Sequence, residues 1–128
     1  MKTIFTFLLA MSLLFLLACQ QKSNFTTVTS DEFNRIINTD SVQVIDVRTE
    51  LEYSEGHIHG AMNINVLNDK FDSIANAFLS KNKTIAVYCK SGRRSKIAAL
   101  KLTKAGFHVY NLDKGIKGWT ESGYIIEK

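Results

Sequence analysis

Two apolar runs constrain the fold of this chain most. They are residues 42–47, "VQVIDV", and residues 84–89, "TIAVYC". The second run is almost continuously apolar, which is typical of a strand buried on both faces of a parallel sheet. Segments with a helical pattern separate such runs, and this alternation indicates βαβ units. We therefore expect an α/β fold, with a parallel β-sheet core flanked by helices on both faces.

The other predicted elements are short. Thr29 with Glu32 and Thr49 with Glu52 fit capping boxes, each opening a helix. Further strands are predicted at residues 26–28, 61–66 and 107–112, and helices from Thr29 to about Asn38, from Thr49 to Gly56, and over 71–79 and 94–105. The last helix should stop at Gly106. These elements form one domain, followed by a glycine-containing tail to which no element is assigned.

Two apolar features lie outside the simple pattern. Ile97 and Leu100 do not fall on the apolar side of the helix at residues 94–105, so we expect that helix to be covered on two sides. Trp119, in the tail, is expected to be an anchor of the core and not a platform for substrate.

The N-terminal residues have the pattern of a secretory signal. Lys2 precedes an apolar run, and a small residue precedes Cys19. The end of the run, "LLAC", resembles the lipobox of bacterial lipoproteins. We expect a signal peptide at residues 1–18, lipid on Cys19 and a tether at residues 19–24, which would hold a domain at 25–127 on a bacterial membrane, in the cell envelope outside the cytoplasm. An uncleaved anchor helix with an incidental cysteine is the alternative.

The charge balance is mildly basic. Sixteen Lys and Arg residues oppose twelve Asp and Glu residues, a formal net charge of +4. The positive residues form no long block, so nucleic acid is not expected as a partner. An exported protein would not meet it.

Cys89 is the cysteine that the predicted domain leaves unpaired. If Cys19 carries lipid, Cys89 has no disulfide partner in the chain, and a leftover thiol in an exported protein indicates a reactive or intermolecular group. A buried structural cysteine is the alternative. Cys89 ends a predicted strand, and in open parallel sheets sites form beyond the carboxyl ends of the strands.

The loop after Cys89 favours a thiolate. If the short loop curls, the amides of residues 90–94 point at the sulfur and form an anion nest, next to a helix N-terminus. Lys90, Arg93 and Arg94 add full positive charges, and Gly92 permits a positive φ. Such surroundings lower the pKa of a cysteine, so Cys89 is predicted to be an exposed nucleophile.

Four segments, in order, resemble the rhodanese family of sulfurtransferases. The loop "CKSGRRS" at 89–95 is similar to the family's active-site loop. The other segments are "DVR" at 46–48, Glu52-Tyr53 with "GHIHGAMNI" at 56–64, and "NLDKGIKGWTESG" at 111–123. The resemblance covers about residues 25–127. His59 stands where the family usually has proline, and Lys114 where it often has the first glycine of a pair.

The resemblance implies that Cys89 takes sulfane sulfur from a donor such as thiosulfate and becomes a persulfide. The sulfur would pass to cyanide or a thiol, which a thioredoxin-like protein could provide. Arg94 is expected to act in catalysis, and the remaining loop residues in substrate binding: Lys90, Ser91, Gly92, Arg93 and Ser95. No cofactor is expected, and the protein is expected to be a monomer.

Three residues are expected to support the loop without taking part in the chemistry. Asp46 is interpreted as an acceptor for loop amides, and Arg48 as an ion-pair partner of a carboxylate such as Glu52. His57 is expected to make a structural hydrogen bond. His57 and His59 are two residues apart in a turn, a pattern that does not predict a metal site.

Other functions remain as alternatives. Cysteine phosphatases, and arsenate reductases with the rhodanese fold, use Cys-x5-Arg loops, but the sixth residue after Cys89 is Ser95. A loop shortened by one residue does not easily surround a tetrahedral oxyanion. A noncatalytic binding module, or a sensor whose thiol is oxidised in the envelope, is the alternative from a different class.

Overall fold

The computed structural model describes residues 24–128. The strands are β1 Thr26–Val28, β2 Val42–Asp46, β3 Met62–Asn63, β4 Thr84–Tyr88 and β5 Val109–Leu112. The helices are α1 Ser30–Ile37, α2 Glu50–Glu55, α3 Phe71–Phe78, α4 Arg93–Lys104 and α5 Gly115–Glu121. The predicted signal peptide and Cys19 lie outside the described residues. Within residues 24–128, no helix is long and apolar enough to cross a membrane.

The five strands form one parallel sheet in the order β1-β5-β4-β2-β3. Successive side chains of β4 point to opposite faces, as in any strand. Ile85 and Val87 join the apolar cluster that contains residues of α3 and α4. Ala86 and Tyr88 join a second cluster, with residues of α1 and α5. The predicted α/β fold, with helices on both faces of a parallel sheet, is confirmed.

Two threonines begin helices as predicted. Thr29 accepts a hydrogen bond from the amide of Glu32 at 3.3 Å. At α2 both bonds of the capping box form between Thr49 and Glu52. Such caps satisfy amides that have no partner within the helix. The second box also places the Glu52 carboxylate in the first turn of α2, beside the site described below.

Two predictions about the elements were wrong, and one helix was not predicted. The strand predicted at residues 61–66 is reduced to Met62–Asn63 at the edge of the sheet. Ile97 and Leu100 are exposed, so α4 is covered on the side of Ala98, Ala99 and Leu102 only. The tail, to which no element was assigned, forms α5. Its glycines oppose helix formation, so the sequence pattern did not predict it. Trp119 in α5 is buried in the core, as predicted.

The register of the two neighbouring strands β2 and β4 positions the site. Asp46 pairs with Tyr88, and these residues are the last of their strands. Cys89 follows directly, and α4 begins four residues later at Arg93. The short connection between a buried strand and a helix leaves the chain at residues 89–92 little room to move. The predicted cysteine loop therefore lies at the carboxyl edge of the sheet, beside the end of β2.

Candidate active site

The Cys89 sulfur hydrogen-bonds within its own loop. The amide of Gly92 donates to Sγ at 3.1 Å, and the Cys89 thiol donates to the Ser95 hydroxyl oxygen at 3.4 Å. Ser95 is fully buried, and its Oγ also lies 3.2 Å from the Gly92 carbonyl oxygen. Cys89 itself is 1% exposed. The residue predicted to be an exposed nucleophile is therefore at the bottom of its loop, with its sulfur directed at the start of α4.

Opposing effects set the pKa of Cys89. Burial raises the pKa of the thiol, because a charge is less stable away from water. The Ser95 hydroxyl and the backbone amides of the loop favour the thiolate, and together they bring the pKa below its ordinary value. The contributing amides are those of Ser95, Gly92 and Ser91. The largest effects that lower the pKa of Cys89 thus come from uncharged groups in contact with the sulfur.

Two glycines allow the loop to pack closely. Gly92 has φ 101°, and a Cβ there would collide with the carbonyl oxygen of Asp113. Gly115, at the start of α5, has φ 59°, and a Cβ there would collide with the backbone of Cys89 and Lys90. L-residues with a side chain rarely adopt such φ values. These two positions therefore require glycine for conformation and for space.

The start of α5 is attached to the loop by its backbone. The Ile116 amide donates to the Cys89 carbonyl at 2.9 Å, and the Lys117 amide donates to the Lys90 carbonyl at 3.0 Å. Lys114, one of the departures from the family pattern, precedes α5 with φ −104°, an ordinary value for a side-chain-bearing residue. Its side chain lies against Gly118. The departure is therefore accommodated without backbone strain.

Arg94 forms a two-pronged ion pair with Glu52. Nη1 and Nη2 of Arg94 donate to Oε1 and Oε2 of Glu52 at 2.7 and 2.9 Å. The Arg94 guanidinium, helped by the Thr49 cap and opposed by burial, lowers the pKa of Glu52 to about 2. The same bonds to Glu52 are the main cause that raises the pKa of Arg94, and the charge of Cys89 adds to them. The arginine expected in catalysis is thus held between the loop and α2.

The other loop cations are at the surface. Lys90 and Arg93 are exposed, as is Ser91. Within residues 24–128, neither Lys90 nor Arg93 takes part in an ion pair. Their charges are therefore available to an anion that approaches the loop from solvent. The structure brings all the predicted loop residues together around the sulfur or at the rim of the site.

Asp46 and Arg48 pair with each other, so the partner predicted for Asp46 was wrong. Asp46 was expected to accept loop amides, but its carboxylate accepts the Arg48 amide at 2.9 Å and the Arg48 guanidinium at 2.7–3.1 Å. Arg48 was expected to pair with a carboxylate such as Glu52. It does pair with a carboxylate, but that of Asp46, and Glu52 binds Arg94. Side chains two residues apart at a strand end point to the same side, so Asp46 and Arg48 meet directly. Arg48 also donates to the Gly56 carbonyl at 2.6 Å.

Tyr88 is a buried polar residue that the sequence analysis did not select. Its hydroxyl accepts the Ile58 amide at 3.0 Å, and the Arg48 guanidinium lies 5.8 Å from the centre of its ring. Burial and the nearby Asp46 charge raise the pKa of Tyr88. Tyr88 therefore connects the residue before the nucleophile with the Asp46–Arg48 pair. Its position directly before Cys89, at the end of an apolar run, is the sequence feature that could have identified Tyr88 as a residue of the site.

His57 makes a structural hydrogen bond, as expected, but to α2 and not to the cysteine loop that it was expected to support. Its Nδ1 lies 3.0 Å from the Tyr53 carbonyl oxygen, and its ring stacks on Tyr53 at 3.8 Å. Its backbone pairs with Glu127, whose carboxylate contacts the exposed His59 at 2.9 Å. His57 thus fixes the C-terminal segment. In residues 24–128, no group of three His, Cys, Asp or Glu side chains is arranged to hold a metal ion.

These features describe an α/β domain whose strand-end cysteine lies in a loop of inward-directed donors. The rhodanese-like domain family matches residues 29–122, most of the chain. The chain therefore belongs to the rhodanese-like domain family.

Relatives and solved structures agree with this assignment. The thiosulfate sulfurtransferase GlpE of Shewanella oneidensis is 31% identical over 101 residues, which are 78% of this chain and 97% of GlpE. The thiosulfate sulfurtransferase PspE of Escherichia coli is 43% identical over 68 residues, which are 52% of this chain and 64% of PspE. The crystal structure of a rhodanese-related protein from Thermoplasma volcanium has a TM-score of 0.68 at 27% identity, and the match covers 80% of this chain and 97% of that one.

Proposed function

We propose that this protein is a sulfurtransferase that moves a sulfane sulfur from an anionic, thiosulfate-like donor to a thiophilic acceptor through a persulfide on Cys89. In the first step the Cys89 thiolate attacks the outer sulfur of thiosulfate. A sulfur–sulfur bond to Cys89 forms, the sulfur–sulfur bond of thiosulfate breaks, and its electron pair leaves with sulfite. The acceptor then takes the outer sulfur, and the electron pair of the persulfide bond returns to Cys89.

The observation that carries the proposal is the donor shell around Sγ. The Gly92 amide at 3.1 Å and the Ser95 hydroxyl at 3.4 Å favour the thiolate that must attack and must later leave. Preorganised donors of this kind stabilise charge without reorganising during the reaction. Lys90 and Arg93 at the rim can attract an anionic donor.

The names of relatives support the same chemistry. Two bacterial relatives that match most or half of the chain are named thiosulfate sulfurtransferases, and a third, from Allochromatium vinosum, is named sulfurtransferase and is 31% identical over 93 residues. At these identities the support concerns the type of reaction and not a particular donor or acceptor.

A discontinuous assay with thiosulfate and cyanide tests the proposal. We expect the protein to form thiocyanate with repeated turnover, and Cys89→Ser to form none. Serine keeps the size of the side chain, so that the variant retains the fold. If the wild-type protein forms no thiocyanate and transfers no sulfur to any thiol, the proposed function is wrong. A noncatalytic binding module or a thiol sensor would then be the remaining function.

We also propose that the protein is anchored in the cell envelope by lipid on Cys19, on the strength of "LLAC" and the polar residues behind it. Expression of the full chain in a bacterium that processes lipoproteins should give a lipid-modified form that begins at Cys19. Cys19→Ala should block both the modification and the processing. A wild-type chain that keeps Met1 and carries no lipid would contradict the proposal.

A further inference from the structure

The outer face of α4 carries two large apolar side chains that remain exposed in the described domain. Ile97 and Leu100 are 50% and 41% exposed, whereas Ala98 and Leu102 of the same helix are buried against the sheet. A spacing of three residues brings Ile97 and Leu100 together on the helix surface. The second cover that the sequence pattern predicted for this helix is therefore not part of the described domain.

Positive charges surround these two side chains. Four residues form one stripe along the outer face, at intervals of four, three and four positions: Arg93, Ile97, Leu100 and Lys104. Lys96 flanks the stripe. Its three cations are exposed, and among residues 24–128 none of them takes part in an ion pair. The outer face of α4 is thus an apolar centre within a ring of unmatched positive charge.

The two faces of the sheet differ in charge. Helices α3 and α4, on one face, carry five cations and one acid, and this acid, Asp72, lies 3.6 Å from Lys101. Helices α1 and α5, on the other face, carry two cations and three acids. Only the face with α4 therefore has both an excess of positive charge and exposed apolar side chains in its centre.

The chain enters the domain on the same face. Phe25 packs against the apolar cluster that α4 forms with the sheet. The helix α4 ends five positions before β5, and Thr26 at the start of β1 pairs with Tyr110 of β5, so both ends lie at one edge of the sheet. Phe25 is six positions after Cys19, and a chain of this length reaches at most about 20 Å. Lipid on Cys19 would therefore hold the α4 face close to a membrane.

We infer that the outer face of α4 binds the surface of an anionic lipid bilayer, with Ile97 and Leu100 among the headgroups and Lys96 and Lys104 on lipid phosphates. The inference rests on the proposed lipid on Cys19. Basic helical surfaces with apolar side chains are typical of proteins that lie on membranes. A second copy of the chain fits this face less well, because two such faces would bring cations against cations. An acidic protein has the required charge, but the lipid brings only the membrane within reach.

The lipid anchor makes a weak contact of this kind effective. Two apolar side chains and a few cations are too few for stable membrane binding on their own. The lipid confines the domain to the surface, so the contact of α4 becomes an intramolecular event with a high effective concentration. The contact fixes the orientation of the domain, and the face with α1 and α5 points to the aqueous phase.

Photolabelling of the mature, lipid-modified chain in vesicles tests the inference. Intact mass first confirms the lipid on Cys19. The vesicles contain phosphatidylcholine alone, or phosphatidylcholine and phosphatidylglycerol in equal amounts, each with a trace of a phospholipid that carries a photoreactive acyl chain. Cleavage after lysine isolates residues 97–101, which include both apolar side chains. We expect lipid adducts on this peptide with phosphatidylglycerol. Without it, or at high salt, labelling should fall to the level found on α1.

Matched substitutions on the two faces of the sheet separate surface contact from tethering. Ile97→Gln and Lys104→Met should each lower the labelling of residues 97–101 by about two- to fivefold, through lost apolar burial and lost attraction to anionic lipid. Ile125→Gln and Arg35→Met are the controls. Both residues are exposed on the other face, Arg35 in α1 and Ile125 with its carbonyl bonded to Trp119 of α5. The controls should leave the labelling unchanged.

Several outcomes overturn the inference in distinguishable ways. If residues 97–101 are labelled no more than α1 in every vesicle, the face is left to an acidic protein, and the lipid anchor stands. Equal labelling with and without phosphatidylglycerol contradicts a preference for anionic lipid. A lysine-reactive cross-linker that joins Lys96 or Lys104 of two copies, without lipid labelling, assigns the face to a dimer. If Cys19 carries no lipid, the proposed anchor fails and the inference fails with it.

Discussion

Arg94 and Glu52 are joined by two parallel hydrogen bonds of 2.7 and 2.9 Å, which connect the first turn of α4 with the first turn of α2. The pair fixes the loop of residues 89–94 against the neighbouring strand-end segment. It also gives the arginine expected in catalysis a structural partner. Any account of Arg94 in catalysis therefore has to separate its charge from its contribution to the position of the loop.

The Arg94–Glu52 pair should make stability depend on pH at acid values. The pKa of Glu52 in the folded protein, about 2, is below the ordinary carboxyl value of 4.5. Its stabilisation is complete above the ordinary value and is lost as the pH falls toward 2. We expect Glu52→Gln to lower the free energy of unfolding at pH 7 by about 1 kcal/mol. Denaturant unfolding at pH 7, 4 and 2.5 should show this difference shrinking, and Glu50→Gln should show no comparable trend. A constant difference across the series would contradict the shifted pKa.

The Ser95 hydroxyl should be needed for the thiolate. Ser95→Ala removes a donor that favours the charged sulfur, so the pKa of Cys89 should rise. The rate of alkylation at neutral pH should fall by about tenfold, the effect expected from one hydrogen bond to a charged group. The pH dependence of iodoacetamide modification measures this. Ser91→Ala is the control, because only the backbone amide of Ser91 contributes to the pKa of Cys89. Equal effects of the two substitutions would show that the hydroxyl has no particular role.

Gly92 should be much less tolerant of substitution than Gly123. Gly92→Ala combines a strained φ with the collision at the Asp113 carbonyl, and should cost more than about 3 kcal/mol of stability. Gly123 also has a positive φ, 89°, but no atom lies within 4 Å of an added Cβ. Gly123→Ala should therefore cost about 1 kcal/mol, from the backbone alone. Thermal and denaturant unfolding measure the loss of stability in each variant. Similar losses would contradict the close packing around Gly92.

The loop cations should have separable roles. Lys90→Ala and Arg93→Ala should mainly raise KM for thiosulfate, because they remove binding shared by the ground and transition states. Added salt should weaken both effects, because exposed charges are screened. Arg94→Ala should lower kcat by roughly 10- to 1000-fold. Steady-state kinetics with thiosulfate and with a neutral organic persulfide measure these effects. Only Arg94→Ala should slow the reaction with the neutral donor.

Glu52→Gln provides the comparison that the Arg94 substitution needs. It releases Arg94 from its partner but keeps the positive charge next to the loop. If Arg94 acts through its charge, Glu52→Gln should retain most of kcat, and if it acts only by positioning the loop, both variants should lose kcat alike. A shift of KM alone in all three alanine variants would place Arg94 with the basic rim.

The fold could be predicted because burial on both faces leaves a clear pattern in the sequence. The near-continuous apolar run at residues 84–89 marks the central strand β4. Such a run can be recognised in the sequence without knowing which side chains contact each other. Helix α5 was missed because its glycines at 115 and 118 oppose helix formation. Gly115 is explained by a tertiary contact with the Cys89–Lys90 backbone, which no local pattern reveals, and Gly118 by the Lys114 side chain one turn before it.

The composition of the site could be predicted, but its pairing could not. Cys89 and the loop residues are consecutive, so a short connection brings them together. Several ion pairs were possible among the charged side chains near the loop. Glu52, named as an example of a carboxylate partner for Arg48, pairs with Arg94, and Arg48 pairs with Asp46. The capping box at Thr49 turns Glu52 toward α4, and the geometry of the strand end brings Asp46 and Arg48 together. Such a choice depends on side-chain directions in the folded protein.

The central claim is that Cys89 accepts and carries a sulfur atom, and intact mass spectrometry tests it most directly. The protein is incubated with thiosulfate, freed of excess donor and measured without reductant. We predict a gain of one sulfur atom that disappears when cyanide or a thiol is added, and no gain in Cys89→Ser. An unchanged mass of the wild-type protein with thiosulfate and with an organic persulfide, or an equal gain in Cys89→Ser, would contradict the account.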